Sequence, residues 1–458
     1  MKIYNTMSGQ TEDFKEIKKG QVRMYVCGPT VYNYFHIGNA RPFIVFDTFR
    51  NFLKYKGYNV VFVQNVTDID DKIINKANEE KTTWDKIAAK YTAAYLEDIE
   101  KLKIERPDIS PKATEEIEKM IELINKLIDN GYAYVAENGV YFSVEKFNDY
   151  GRLSHKNIDQ LQEGARVEVD EKKEKPLDFA LWKFSKPGEP SWKSPWGDGR
   201  PGWHIECSSM SSKYLGDTFD IHGGGIDLVF PHHENELAQS EAASGKPFVN
   251  YWMHNGYMNI KGEKMSKSVG NIVLAREVLE KYPAEVIRMF ILSAHYRSPL
   301  DFTYENVDTI KSGYREIYYT LQRLAQVEKA EGAKTEGSSY VKSFNEALDD
   351  DFNTPKAIAV IYDLLNVAKN TMNRPADEES KITFALLEKN LQEMCGVLKI
   401  MPGIEEVNAE IKGLVKKREE LRKNKNYKEA DDVKKEIGDK GYVLEDTRSG
   451  TFVIKELK

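Results

Sequence analysis

Along the N-terminal part of the chain the apolar positions change period twice. The stretch VRMYVCG is a short, nearly continuous apolar run that ends at Gly28-Pro29. NARPFIVFDTFRNFLKYKG then repeats its large apolar residues at helical spacing, with Phe43, Phe46, Phe49 and Leu53 on one side, and stops at Gly57. YNVVFVQNVTD returns to strand-like composition. This order predicts a parallel strand–helix–strand unit with a right-handed crossover. In such sheets ligands bind beyond the carboxyl ends of the strands. Cys27 and Thr67 are both expected there.

The pattern breaks near Glu105. A long charged helix, PKATEEIEKMIELINKLIDNG, leads into a hairpin-like YAYVAENGVYFSV, and then into a charged stretch and the Trp/Pro-rich loop FSKPGEPSWKSPWGDGRPGW. Residues 105–201 therefore read as an insertion between two halves of the parallel domain. Strand character resumes in TFDIHGGGIDLVFP and VNYWMHNGYMNI. Beyond Phe302 the chain is almost entirely helical, and GYVLEDTRSGTFVIKEL reads as a closing hairpin.

The fold class expected is α/β: a Rossmann-type parallel-sheet domain with an inserted subdomain, then a helical bundle and a small C-terminal α/β module. The domain boundaries expected are 1–104 and 202–258 for the two halves of the parallel domain, 105–201 for the insertion, 259–304 for the segment that follows it, 305–403 for the bundle and 404–458 for the last module.

Composition changes this picture little. At 458 residues the chain is long enough for roughly three domains. Its 41% hydrophobic and 30% charged residues describe an ordinary globular protein. No apolar run approaches the roughly 20 residues of a membrane span, and MKIYNTMSGQTEDF lacks the apolar core of a signal peptide. A cytoplasmic protein with no membrane partner is expected. The three cysteines, Cys27, Cys207 and Cys395, are too few and odd in number for a disulfide framework. Each is either a buried filler or a chemical group. The net charge of −7 gives no bulk sign of nucleic acid, yet residues 412–440 hold eleven Lys or Arg against seven Asp or Glu. That excess suits either a solvated helix pair or phosphate contacts.

Four short stretches carry candidate chemistry. In FPHHENELAQSEAA, Pro231 suits a helix start, and His232 and Glu236, four apart, fall on one helical face. Both side chains are good zinc ligands. With Cys207 in GWHIECSSM and Cys27 at the first strand end they make four ligands for a tetrahedral ion, although spacing alone does not prove that they converge. In HIGN, His36 and Asn39 lie three apart on the first turn of a helix, with Gly38 leaving room for a nucleotide. Phosphates are favoured at helix N-termini, where free N–H groups and the dipole point at them. In GEKMSKSVGN, Lys264 and Lys267 could close two ammonium groups over a polyphosphate.

HIGN after a first strand, with the pentad Lys264-Met265-Ser266-Lys267-Ser268 after the last, resembles the signature pair of class I aminoacyl-tRNA synthetases. The first motif ends in Asn39 where the family has His, and an amide can still donate to a phosphate. The chain closely resembles the cysteinyl-tRNA synthetases. Matching stretches are YVCGPTVYNYFHIGNARP, NVTDIDDKII, DFALWKFSKPGEPSWKSPWGDGRPGWHIECSSM, FDIHGGGIDLVFPHHENELAQSEA, EKMSKSVGN, LSAHYRSPLDF and DDDFNTP. At the closing hairpin Phe452 and Val453 stand where an anticodon-contacting tryptophan is often expected.

The resemblance implies ATP-dependent ligation of L-cysteine to the 3′ end of tRNA(Cys) through a cysteinyl-adenylate. It implies one Zn²⁺ per chain on Cys27, Cys207, His232 and Glu236, selecting the substrate thiolate, and Mg²⁺ with ATP. Thiolate is a far better zinc ligand than a serine hydroxyl. Packing alone separates a missing methylene by only about 1–3 kcal/mol, so metal selection would make a hydrolytic editing domain unnecessary.

Catalytic roles fall to His36, Asn39, Lys264 and Lys267. ATP contacts fall to Gly38, Gly224, Asp227, Met265, Ser266, Lys267 and Ser268, with residues 223–225 expected as a turn admitting adenosine. Gly28, Thr67, Trp203 and His222 would frame the amino acid. The basic helices after Ile411 and the final hairpin would read the anticodon, and a monomer is expected. A cysteine ligase acting on a small amine is the nearest alternative, but it needs no helical and basic C-terminal regions. An esterase reading of His222-Gly223-Gly224-Gly225 fails because no Gly-x-Ser-x-Gly turn occurs. A non-catalytic zinc and nucleic-acid-binding module would leave the phosphate-directed motifs unexplained.

Overall fold

The computed structural model describes residues 1–157, 173–260, 272–330, 338–373, 377–404, 406–447 and 450–457, with the backbone alone for 263–264. The chain divides into two compact units, Met1–Val278 with Tyr296–Asp301, and Leu279–His295 with Phe302–Lys458.

The first unit opens with a hairpin of β1 (Lys2–Asn5) and β2 (Gln10–Asp13), and then builds the parallel unit that the periodicity predicts. Strand β3 (Gln21–Val26), helix α1 (Ile37–Tyr55) and strand β4 (Asn59–Val63) follow in order, and β3 pairs with β4 in parallel. Phe43, Phe46, Phe49 and Leu53 are all buried beneath the sheet. Each contributes on the order of 1.5–3 kcal/mol. Helix α1 ends just before Gly57, whose φ of 90° an L side chain rarely adopts. Helices α2 (Asp71–Glu79) and α3 (Trp84–Lys101) complete this half.

The insertion starts with α4 (Ile117–Asp129) and continues as a four-stranded antiparallel sheet in the order β5-β6-β7-β8, formed by Ala133–Ala136, Gly139–Phe142, Phe179–Phe184 and Gly199–Pro201. The expected hairpin is β5 and β6. The last two strands extend it through residues that read as charged stretch and loop. Trp182 on β7 is fully buried. It shares a core with Phe142 and, from the parallel sheet, Tyr25, Phe219 and Trp252.

Strand β8 passes into α5 (Trp203–Leu215), then come β9 (Phe219–Gly225), α6 (Glu234–Ser244) and β10 (Val249–Asn255). The completed parallel sheet has the order β10-β9-β3-β4. Residues 223–225 are the last three of β9 and not the expected turn. A Cβ on Gly223 would lie 2.5 Å from the Phe46 ring, and one on Gly224 2.7 Å from His233. None of the three has a positive φ, so their smallness serves packing. A short ribbon, β11 (Met258–Ile260) with β12 (Glu263–Lys264), leads out of the sheet. Met265, Ser266, Lys267 and Ser268, and the side chain of Lys264, lie outside the described residues.

The second unit is helical, as expected beyond Phe302, with long helices at Tyr304–Leu324, Thr354–Met372 and Glu378–Leu398. Its C-terminal part packs the helices Ala409–Lys423 and Tyr427–Asp439 against an antiparallel hairpin of Tyr442–Thr447 and Gly450–Lys455. Phe452 and Val453 are buried in this hairpin, which gives them a core role. Cys395 is a buried filler of the bundle. Among the described residues no helix is long and apolar enough to cross a membrane.

Candidate active site

Strand β3 stops at Val26, so Cys27 leaves the sheet at its carboxyl edge. The first turns of α5 bring Cys207 beneath the same edge, and the sulfur atoms of Cys27 and Cys207 lie 3.8 Å apart. Glu236, in the first turn of α6, reaches Cys27 at 3.5 Å through Oε1. The same oxygen is 2.9 Å from His232 Nε2. The sequence reading put His232 and Glu236 on one regular helix. His232 instead belongs to an irregular segment, Val229–His233, just before α6, yet its imidazole still meets Glu236. The ligand atoms of Cys27, Cys207, His232 and Glu236 all lie within 4.8 Å of one another.

A second quartet shares two of these residues: Cys27, His222, His233 and Glu236 also place their ligand atoms within 4.8 Å. His222 was expected to frame the amino acid. It is fully buried, with Nε2 2.8 Å from Glu236 Oε2 and its ring stacked on Trp252. His233 Nε2 lies 3.2 Å from the Cys27 sulfur and its Nδ1 2.8 Å from His254 Nε2. His254 in turn meets the Thr6 hydroxyl at 2.7 Å. His204 Nδ1 faces His232 Nδ1 at 3.0 Å. His204, His233 and His254 were not singled out from the sequence; the His232-His233 doublet was the one available signal.

Burial and charge set the protons of this cluster. Burial would raise Glu236, but His222 and His232 outweigh it and hold the carboxylate down to about 2. Burial would lower His232, but Glu236 and Cys207 hold it up to about 10. For Cys207 the burial penalty is overcome by the hydrogen bond from Cys27 and by His232, giving about 6. Burial, and then the neighbouring Cys207 and Glu236, push Cys27 well up. His254 is pushed down to about 3 by burial and by His222. The protein without metal therefore holds one thiolate, one thiol, an imidazolium and a carboxylate in one water-poor pocket. Two sulfurs, an imidazole and a carboxylate form a donor set suited to zinc.

From Cys27 a cleft of about 290 Å³ runs outward to the N-terminus of α1. Gly28, Thr30, His36, Gly38, Asn39 and Asp227 line it, and Gly224 borders it from the end of β9. His36 caps α1, its Nδ1 accepting the backbone N–H of Asn39 at 3.2 Å. The cap is anchored from outside the helix, because Ile37 N–H donates to the Val273 carbonyl and His36 bridges Leu274. Asn39 is exposed at this end. Thr67 lies behind the cleft wall, buried and paired with Thr30. Trp203, 37% exposed, stacks over His232 with ring centroids 4.1 Å apart. One cleft thus runs from the Cys27 end of the buried cysteine–histidine–glutamate cluster to the capped N-terminus of α1.

Two family profiles match the chain: the tRNA synthetases class I (C) catalytic domain over residues 13–312, and the DALR domain over residues 343–401. The cysteine–tRNA ligase of Caldicellulosiruptor saccharolyticus is 49% identical over 465 residues, covering 99% of each chain. That of Clostridioides difficile is 49% identical over 465 residues, covering 98% of this chain and 99% of its own. Among solved structures, Mycobacterium tuberculosis methionyl-tRNA synthetase in complex with methionyl-adenylate superposes with a TM-score of 0.62. At 16% identity over 83% of this chain and 90% of that one, it speaks for the fold. A putative arginyl-tRNA synthetase from Campylobacter jejuni gives a TM-score of 0.57 at 15% identity, covering 86% of this chain and 95% of its own.

Proposed function

The chain belongs to the cysteine–tRNA ligases among the class I aminoacyl-tRNA synthetases, and from that membership we propose that it attaches L-cysteine to tRNA(Cys) in two ATP-dependent steps. The cysteine carboxylate attacks the α-phosphorus of ATP in line, and pyrophosphate leaves. The terminal 2′-hydroxyl of the tRNA then attacks the acyl carbon, and AMP leaves. No protein nucleophile is required; positioning and electrostatics carry both steps.

The reading is supported by one observation above the others: the cleft that begins at Cys27 ends at the capped helix N-terminus of His36 and Asn39. In this reading the α1 N-terminus, with His36, Gly38 and Asn39, holds the ATP phosphates. Lys264 and Lys267, with Met265, Ser266 and Ser268 around them, meet the charge that develops on the departing pyrophosphate, with Mg²⁺ accompanying the nucleotide. Gly224 and Asp227 take the adenosine. Gly28, Thr67, Trp203 and His222 shape the amino-acid end. A zinc ion on Cys27, Cys207, His232 and Glu236 would supply a Lewis acid that prefers the substrate thiolate to a serine hydroxyl. The buried partners of that set hold the ligands in place: His222 fixes Glu236, and His204 fixes His232. The basic helices of the C-terminal module serve the anticodon end of the tRNA.

The deciding experiment is transfer of labelled cysteine to tRNA by the purified protein, run beside cysteine-dependent ATP–pyrophosphate exchange. Charging that requires zinc and fails with serine is expected. Exchange without charging would overturn the tRNA assignment, and absence of both would overturn the reading itself.

A further inference from the structure

Glu206 stands beside the metal-ligand candidate Cys207 and is 1% exposed, yet nothing in the chemistry above uses it. Its Oε2 accepts the Thr67 hydroxyl proton at 2.7 Å. That hydroxyl in turn accepts from Asn65 Nδ2 at 3.2 Å, so its proton is committed to Glu206 and is not offered to a substrate. The backbone of Thr67 is stitched to the wall of the cleft: Thr67 N–H donates to Pro29 O at 3.0 Å, and Val31 N–H donates to Thr67 O at 3.1 Å. Asn65 completes the stitch, its Oδ1 accepting Gly28 N–H at 2.8 Å while lying 3.8 Å from the Cys207 sulfur.

Gly28, Pro29 and Thr30 line the amino-acid end of the cleft, and the 28–31 segment that forms this wall is thus tied through Thr67 to the helix that carries Cys207. We infer that Glu206 is a positioning residue: through Thr67 it sets the distance between the thiol-binding cluster and the 28–31 wall, and with it the space open to the amino acid. The inference rests on the proposed cysteine activation for its kinetic consequence, but not for its structural one.

Two readouts separate these. Amide hydrogen exchange reads the stitch directly. In Glu206→Ala the Val31 and Thr67 amides should exchange about tenfold faster or more, because the hydroxyl that anchors Thr67 has lost its acceptor. In Glu206→Gln, which keeps an acceptor oxygen, they should not. ATP–pyrophosphate exchange reads the consequence. Glu206→Ala and Thr67→Val should each raise KM for cysteine about tenfold with kcat within about threefold and zinc content unchanged. The double variant should be no worse than either single one, and Glu206→Gln should restore the wild-type KM.

Amide exchange at Val31 and Thr67 unchanged in Glu206→Ala overturns the inference. So does a Glu206→Gln protein as impaired as Glu206→Ala. If the alanine variant does not fold, Thr67→Val against Glu206→Gln decides: a raised KM in the first alone supports the inference, and an unchanged KM in the first overturns it. If wild-type protein shows no cysteine-dependent exchange, the functional reading fails, and the amide measurement still decides the role of Glu206.

Discussion

Cys27 and Cys207 are 180 positions apart in the chain, and their sulfur atoms stand 3.8 Å apart, Cys27 donating to Cys207. One sulfur comes from the end of a strand and the other from the first turns of a helix, so neither element can move without opening the pair. At neutral pH Cys27 keeps its proton and His232 is charged, while Cys207 and Glu236 are ionised. Coordination needs a thiolate and a neutral imidazole. Taking up a divalent ion therefore expels about two protons, and zinc affinity should rise with pH by up to about 100-fold per unit around neutrality. Calorimetric titration of chelator-treated protein with Zn²⁺, in buffers of differing protonation enthalpy, counts the protons. Affinity that does not change between about pH 6.5 and 8.5 would sink this account of the cluster.

Gly28 makes a sharper test of the amino-acid end. A Cβ at this position would lie 1.6 Å from the Asn65 carbonyl oxygen, and the obstacle is backbone. Gly28→Ala must push the cleft wall away from Asn65. A displacement on the order of 1 Å can cost about 100-fold in rate, and overpacking costs about 1–3 kcal/mol of stability. Exchange kinetics and urea denaturation read the two effects. Near wild-type activation in this variant would mean that the wall does not define the site.

The contrast with the sequence reading is physical. Helix α1 was legible because its large apolar residues recur at helical spacing, even though residues 43–50 are all buried, and β3 because a strand that buries Met24, Tyr25 and Val26 in succession reads as a short continuous apolar run. The start of α1 at HIGN was legible because a helix N-terminus is a local device, but His36 stands just before the first turn as its cap and not on it. His204, His233 and His254 were not, because the contacts that join His233 to His222 and His254, and His204 to His232, link separate segments at no fixed spacing. Residues 223–225 were misread because glycine suits both a turn and a crowded strand; only the Phe46 and His233 rings tell the two apart. Strand β7 was missed because FALWKF is flanked by charge, and its partner β6 lies more than thirty residues upstream.

Lys267 lies outside the described residues, and its assignment rests on the family motif. If its ammonium meets charge on the departing pyrophosphate, Lys267→Ala should slow ATP–pyrophosphate exchange by about 100-fold or more. KM for cysteine should change by no more than about threefold, since the interaction forms in the transition state. A variant with near wild-type exchange would remove Lys267 from the mechanism.

In the second unit, two glutamines act as a substitute strand. Gln322 Nε2 donates to Lys455 O at 3.1 Å, and its Oε1 accepts Lys455 N–H at 2.8 Å. Four residues on, in the turn that closes the helix, Gln326 repeats the pair with Val453 at 2.8 and 3.0 Å. Val453 and Lys455 are alternate residues of one strand, so the (i, i+4) spacing of a helix matches the two-residue repeat of a strand edge. These side chains stand where a neighbouring strand would pair along that edge. The Gln322→Ala/Gln326→Ala variant should lose about 1–3 kcal/mol of stability in the C-terminal module, seen as faster amide exchange at Val453 and Lys455. Cysteine activation requires nothing from this hairpin, so pyrophosphate exchange should be unchanged. Charging of tRNA should fall if the module holds the anticodon end, because a loosened hairpin adds an ordering cost to binding. Unchanged charging in a variant whose hairpin amides do exchange faster would separate the hairpin from tRNA recognition and leave the basic helices to carry it.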